Sequence, residues 1–212
     1  VSPFSPERLI AFAEARLSPL LGPSFPPIFL AGGAFKTLLH GRPPRDLDLW
    51  AETPEARRQL LATLLERGAS RLPAAPGAER FLAGDQLVEV SFQIEAMEER
   101  LARFDLGLSC CAVVWRDGRP GTLVHPLALA SIRARQILLI DLAHESLALA
   151  TLVRARRYAA DLGYEVPAAL EQQLWSTFLA QPPALRRELI DKLRVHYGEH
   201  TFHVATEAEA HG

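Results

Sequence analysis

Apolar residues fall in short alternating or continuous runs over the first two-thirds of the chain, and at the three-to-four-residue spacing of helices afterwards. Ser5-Pro6-Glu7-Arg8 predicts a helix running to about Leu17, with Ser5 as N-cap and proline in the first turn. A proline-rich connector, Pro19 to Pro27, leads into Ile28-Phe-Leu-Ala31, which reads as a buried strand. Gly32 and Gly33 let the backbone turn sharply where that strand ends, and Ala34 to Leu39 predicts one or two helical turns. Asp46-Leu-Asp-Leu49 alternates as a strand, and Thr53 caps a helix over 54–68. Residues 71–79 read as loop. Residues 80–82 and 87–92 read as strands across a Gly84-Asp85 turn, and 94–103 as a short, solvated helix. Residues 106–115 and 121–124 form a predicted hairpin over Arg116-Asp-Gly-Arg119. Four helices follow, over 126–135, 144–163, 167–181 and 182–197.

Strands mixed with helices, then helices alone, predict an α+β protein: a mixed-sheet domain over 1–125, a helical region over 126–198, and a loose tail over 199–212. At 212 residues the chain suits one compact domain or a sheet domain with a helical appendage. Its 49 % hydrophobic and 23 % charged residues fit a globular protein rather than a disordered one. No apolar run nears the length of a membrane span, and the N-terminal segment carries its charges inside an amphipathic helix, unlike a signal peptide. Cys110 and Cys111, adjacent in a predicted strand, point to opposite faces and cannot bridge each other; a reducing cytoplasm is the expected compartment. A net charge of −2 argues against coating nucleic acid by bulk electrostatics, though not against a local basic groove.

The chemistry concentrates in residues 32–50. Free N–H groups after Gly32-Gly33 point back over the glycines, an arrangement that suits a phosphate. Asp46 and Asp48 lie two apart in a strand, so both carboxylates project from one face while Leu47 and Leu49 pack on the other. Two carboxylates held that closely repel each other unless a cation lies between them, and hard oxygen donors select Mg²⁺ or Mn²⁺. Either half alone is commonplace, a glycine turn or a solvated strand face. Together, a phosphate cradle and a dicarboxylate metal site are what nucleotidyl transfer requires. Glu89, mid-strand between Val88 and Val90, is the candidate third carboxylate.

Gly32-Gly33, Leu38-Leu39, Gly41-Arg42 and Asp46-x-Asp48 together resemble the head motif of the tRNA nucleotidyltransferase and bacterial poly(A) polymerase family, within the polymerase-β-like nucleotidyltransferase superfamily. The likeness extends over about residues 28 to 180. Leu87–Phe92 resembles the family's next strand, and Arg103-Phe-Asp105 through Ala112 its Arg-Arg-Asp-Phe-Thr-x-Asn-Ala segment. Arg154 to Tyr164 resembles the first neck helix. The resemblance implies a nucleotidyltransferase-type mixed-sheet head with flanking helices, then a helical neck. It implies catalytic and metal-binding roles for Asp46, Asp48 and Glu89. It implies nucleotide binding by Gly32, Gly33, Lys36, Arg42, Arg103, Asp105, Arg154 and Arg157, with Arg103 facing the triphosphate and Asp105 the ribose. The family's Arg-Asp pair after the glycines is Lys36-Thr37 here. Its base-reading Glu-Asp-x-x-Arg set falls on Leu147, Ala148 and Thr151, none of which can imitate a nucleobase edge.

The expected activity is metal-dependent transfer of a nucleoside monophosphate from a triphosphate such as ATP to an acceptor hydroxyl. An RNA 3′-end, tRNA in particular, is the favoured acceptor. A protein or small-molecule acceptor, as in toxin-type or antibiotic-modifying members of the superfamily, and a non-catalytic nucleotide- or RNA-binding module are the alternatives. Expected partners are a nucleoside triphosphate and RNA, no membrane, and a second copy or partner chain against the helical region.

Overall fold

The computed structural model describes residues 2–197, so the expected tail over 199–212 lies outside the described residues. The chain divides into two compact units. One takes in residues up to Arg103 together with Leu108–Leu129; the other takes in Phe104–Gly107 and the chain from Ala130 onward.

The first unit is built on a seven-stranded sheet. Its strands are β1 (Ile28–Ala31), β2 (Asp46–Ala51), β3 (Ser70–Ala75), β4 (Ala78–Ala83), β5 (Gln86–Ile94), β6 (Cys111–Arg116) and β7 (Arg119–Val124). Their spatial order is β3-β4-β5-β2-β1-β6-β7. β2 and β5 run parallel, whereas the pairings flanking them are antiparallel. One face of the sheet is apolar. Leu30 pairs with Leu49, Leu49 with Val90 and Val88 with Phe81, and all of them are buried. The helices α1 (Pro6–Leu21) and α3 (Pro54–Glu66) bring buried Leu9, Phe12, Leu17, Leu60 and Leu64 to this unit's core. Thr53 caps α3 as expected, its hydroxyl accepting from the Ala56 N–H at 3.0 Å. The opposite face carries Asp46, Asp48 and Glu89 beside an apolar corner where Phe29 and Trp50 stack at 5.3 Å. A short helix, α4 (Met97–Leu101), adds Arg100 over the Trp50 ring at 5.2 Å.

Four local expectations are corrected. Residues 71–79 are not loop but β3 and the start of β4; β3 is an edge strand exposed along most of its length, so no buried alternation marks it in sequence. The turns expected over 34–39 are a 3₁₀ turn, Gly32–Lys36, followed by a one-turn helix α2 (Thr37–His40) that Gly41 ends in the left-handed region. The helix expected over 94–103 shrinks to α4, because Ile94 closes β5. The strand expected from 106 begins at Cys111, after a 3₁₀ turn over Gly107–Ser109.

The second unit holds the end of α5 (Pro126–Ala134) and the helices α6 (Ala148–Leu162), α7 (Ala168–Leu179) and α8 (Pro183–Tyr197). α6 is entered through a 3₁₀ turn, Glu145–Leu147, capped by His144, and closed by Gly163 in the left-handed region. Leu149, Leu152 and Val153 of α6 and Leu170, Leu174 and Phe178 of α7 are buried in this unit's core. Residues 104–107 join it through backbone hydrogen bonds, from the Gly107 N–H to Leu138 O at 2.9 Å and from the Ile140 N–H to Asp105 O at 2.6 Å. No helix among the described residues is long and apolar enough to cross a membrane.

Candidate functional site

The acidic residues meet because of register. Ala31 at the end of β1 pairs with Asp48 on β2, Asp48 pairs with Glu89 on β5, and Glu89 pairs with Arg80 on β4. Paired residues project to the same side of a sheet, so this row crosses four strands on one face. Asp46 lies two residues before Asp48 on that face. Leu47 and Leu49, pointing the other way, are fully buried, which fixes the register: a one-residue slip would drive both carboxylates into the core.

The glycine turn abuts the same row. Gly32 has φ +82°, a conformation glycine adopts without the steric penalty of a side chain. A Cβ built on Gly32 would stand 3.7 Å from Asp48 Oδ2. Glycine therefore serves the turn, and the turn packs directly beside the carboxylate.

The site is charge-rich and partly desolvated. Burial, followed by repulsion from Asp46 and Glu89, pushes the Asp48 carboxyl up to about 7. Arg45 places Nε and Nη2 on one oxygen of Asp46, at 2.8 and 2.6 Å, with the arginine itself largely in solvent. Arg80 Nε lies 3.2 Å from Glu89 Oε1. These arginines partly offset the negative charge, yet Asp48 still resists ionisation.

That imbalance, with a donor set of hard carboxylate oxygens, fits a divalent cation such as Mg²⁺ or Mn²⁺. Among the described residues no three His, Cys, Asp or Glu side chains are gathered into a metal cluster. Mg²⁺ does not need such a cage; it is commonly held by one or two carboxylates, water and substrate phosphates.

Beyond Asp48 the β2–β5 register shifts between Leu49 and Ala51, so residue 50 stands opposite a longer stretch of β5. The bulge opens a pocket of about 260 Å³, lined at one end by Asp48 and Glu89 and at the other by Trp50, Ser91, Gln93 and Arg100. Its rim is the β3–β4 turn, where Gly77 O accepts from the Phe92 N–H at 2.9 Å. Trp50, Ser91 and Arg100 carry no motif, and sequence reasoning passed over them. The one available signal was a tryptophan in a strand otherwise made of small, aliphatic and acidic residues.

The other expected nucleotide-binding residues are placed differently. Lys36 is buried at the end of the glycine turn, and Arg42 is exposed beyond α2. Arg103 does not line the pocket; its guanidinium pairs with the buried Glu95. Asp105 lies in the helical unit and is buried. Its Oδ1 accepts from the Leu106 N–H at 2.9 Å, and its Oδ2 accepts from the Thr151 hydroxyl and from Arg154. Arg154 and Asp105 thus meet each other in the same unit. Arg157 stacks on Tyr158 at 5.8 Å. Of the positions onto which the family's base-reading set falls, Ala148 and Thr151 are fully buried.

Comparison with known proteins converges on one group. No protein-family model matches the chain. The chain is similar to a CC-adding tRNA nucleotidyltransferase of Thermus thermophilus, 32 % identical over 164 residues, which make up 74 % of this chain and 36 % of that protein. The chain thus spans about a third of that relative's length. Among solved structures, it superposes on a tRNA nucleotidyltransferase complexed with a primer tRNA and an incoming ATP analogue (TM-score 0.56, 16 % identity, 87 % of this chain and 58 % of the other). It also superposes on an apo tRNA-processing enzyme (0.58, 17 %, 94 % and 56 %) and on a CCA-adding enzyme with CTP (0.56, 14 %, 91 % and 48 %). At such identities these structures establish a shared fold.

Proposed function

We propose, from the premise that the sheet unit is a head domain of the tRNA nucleotidyltransferase family, that the protein moves a nucleoside monophosphate from a nucleoside triphosphate to the 3′-hydroxyl of RNA, with tRNA as the favoured acceptor. The observation that carries this reading is the paired row Ala31–Asp48–Glu89 with Asp46 beside it on the same face, which brings three carboxylates up against the glycine turn at Gly32. The sheet domain, residues 1–125, carries the chemistry in this reading, and the helical region from 126 is its neck.

In the reaction the acceptor oxygen bonds to the α-phosphorus, the bond from that phosphorus to pyrophosphate breaks, and the hydroxyl proton leaves to water. Asp46 and Asp48, with Glu89 beside them, are the groups that would hold Mg²⁺ or Mn²⁺, which supplies charge neutralisation at the reacting phosphate. Gly32 and Gly33 give the triphosphate close access to backbone N–H groups. Buried Leu47 and Leu49 fix the strand and so hold the carboxylates in place, a contribution of positioning rather than covalent chemistry. In this reading the buried contact of Asp105 with Thr151 and Arg154 contributes to the stability of the helical unit.

The test is incubation with each α-labelled triphosphate, Mg²⁺ and total RNA. Label on RNA, abolished in Asp48→Asn, supports the reading. Label on protein or small molecules would shift the acceptor to the superfamily's other classes, and label nowhere would leave a binding module.

A further inference from the structure

We infer that the pocket beyond the carboxylates seats the acceptor, with Arg100 holding the last phosphodiester of an RNA 3′-end. This inference rests on the nucleotidyl-transfer reading and assigns the residue that holds the acceptor at that site.

A pocket that opens onto Asp48 and Glu89 repels anions unless it carries its own countercharge. Arg100 is the cation among its lining residues. It is also a built feature, since its guanidinium lies 5.2 Å above the Trp50 ring and its Nη1 is 4.0 Å from Glu95 Oε1. A guanidinium over an indole face gains cation–π stabilisation, and its planar fork of N–H donors suits a phosphate. The tryptophan that carries it belongs to the same bulge that opens the pocket.

The ligand this polarity accepts has an uncharged, reactive end at the carboxylates and a fixed anion at the far end. A terminal nucleotide matches: its 3′-hydroxyl is neutral, and its 5′-phosphodiester lies one sugar away. A serine, threonine or tyrosine hydroxyl brings no such anion.

Size agrees. About 260 Å³ falls just under the ~300 Å³ lower bound of ordinary small-molecule pockets, enough for one terminal unit but not for an acceptor and a complete triphosphate together. Strand order supplies the second half of the argument. β1, with its glycine turn, and β5, with Glu89 and Ser91, lie on opposite sides of β2. Donor phosphates over the glycines and an acceptor over β5 would therefore flank Asp48, an arrangement compatible with attack and departure on opposite sides of the α-phosphorus.

The test uses the whole chain without triphosphate, so that nothing turns over. The probes are a fluorescein-labelled RNA oligonucleotide ending in a free 3′-hydroxyl, and the same oligonucleotide with a methylphosphonate at its last linkage. Arg100→Ala should weaken the native oligonucleotide by about 10- to 100-fold, the loss expected for one charge-assisted phosphate contact. The parent protein should bind the methylphosphonate probe about as weakly as Arg100→Ala binds the native one, and the variant should no longer distinguish the two. The slope of log affinity against log salt should fall by about 0.7. The KM for triphosphate should stay unchanged. Arg100→Lys keeps the charge and guards against a folding defect in the alanine variant; it should restore part of the affinity. If RNA is still labelled by the parent but neither variant changes oligonucleotide affinity, the acceptor subsite is overturned and nucleotidyl transfer to RNA stands. If the oligonucleotide does not bind and label goes to protein, both readings fall.

Discussion

Replacing Asp105 with asparagine separates a structural role from the ribose-binding role that sequence resemblance implies. In the folded chain one oxygen of Asp105 faces the Leu106 N–H and the other faces the Thr151 hydroxyl and Arg154, so donors surround it. Asparagine keeps the shape but turns one oxygen into an NH₂ group, and whichever way it flips, a donor meets a donor. The Asp105 and Arg154 side chains are 9 % and 27 % exposed, which puts the contact among buried rather than surface ion pairs. Removing one partner of a buried pair costs about 3–5 kcal/mol; because Arg154 retains some access to water, the lower end, about 3 kcal/mol, applies. For a chain of this length that is a fall in Tm of roughly 6–12 °C. Thermal unfolding followed by circular dichroism measures it. The double variant Asp105→Asn/Arg154→Leu should lose less than the sum of the single losses, by ~1 kcal/mol or more, because the second change removes the stranded charge. A Tm within a degree or two of the parent, combined with a sharp rise in the KM for triphosphate, would refute this reasoning and return Asp105 to the nucleotide.

Three further outcomes are expected. Gly32→Ala forces an L-residue to φ +82° with its methyl beside Asp48; a loss of roughly 1–2 kcal/mol in denaturant unfolding should accompany a weaker affinity for triphosphate. Arg116, donating to Glu52 at 2.7 Å, holds that carboxyl below its usual range, so the stability it gives is full above pH ~4.5 and drains away as pH falls through the lowered value. Glu52→Gln should therefore flatten the loss of Tm between neutral and acid pH, and equal slopes in parent and variant would remove Glu52 from the account. Burial pushes the Cys110 thiol up to about 11 and raises Cys111 as well, so a disulfide reagent at pH 8 should label neither until guanidinium unfolds the chain.

Much of the sheet unit was legible because its signals are local. Gly32-Gly33 after an apolar run marks the turn, and the alternation Asp46-Leu-Asp-Leu49 gives both the strand and the face its carboxylates share. Thr53 and Pro54 announce α3 by capping chemistry alone. What stayed hidden depends on partners distant in sequence. β3 has no buried face of its own and exists because β4 pairs with it. The widening around Trp50 comes from a register shift against β5, which no residue in β2 encodes. Arg103 and Arg100 look alike in sequence; Glu95 pairs closely with Arg103, whereas Arg100 reaches the pocket over an indole. Asp105 is read as a ribose ligand by motif and as a buried acceptor by structure, because Thr151 and Arg154 approach it from a helix more than forty residues on.

The parallel pairing of β2 with β5 has a consequence for when the acidic centre comes into being. Had the two strands formed a hairpin, Asp48 and Glu89 would meet as soon as a tight turn closed. Instead α3 and the β3–β4 hairpin lie between the two strands in the chain, so pairing β5 with β2 closes a long loop, and such long-range closure is slow. A nascent or partly refolded chain therefore lacks the centre even when most of its local structure is present. Affinity for a divalent ion should appear in the last kinetic phase of refolding, so that titrating the ion reports completed topology and not merely collapse.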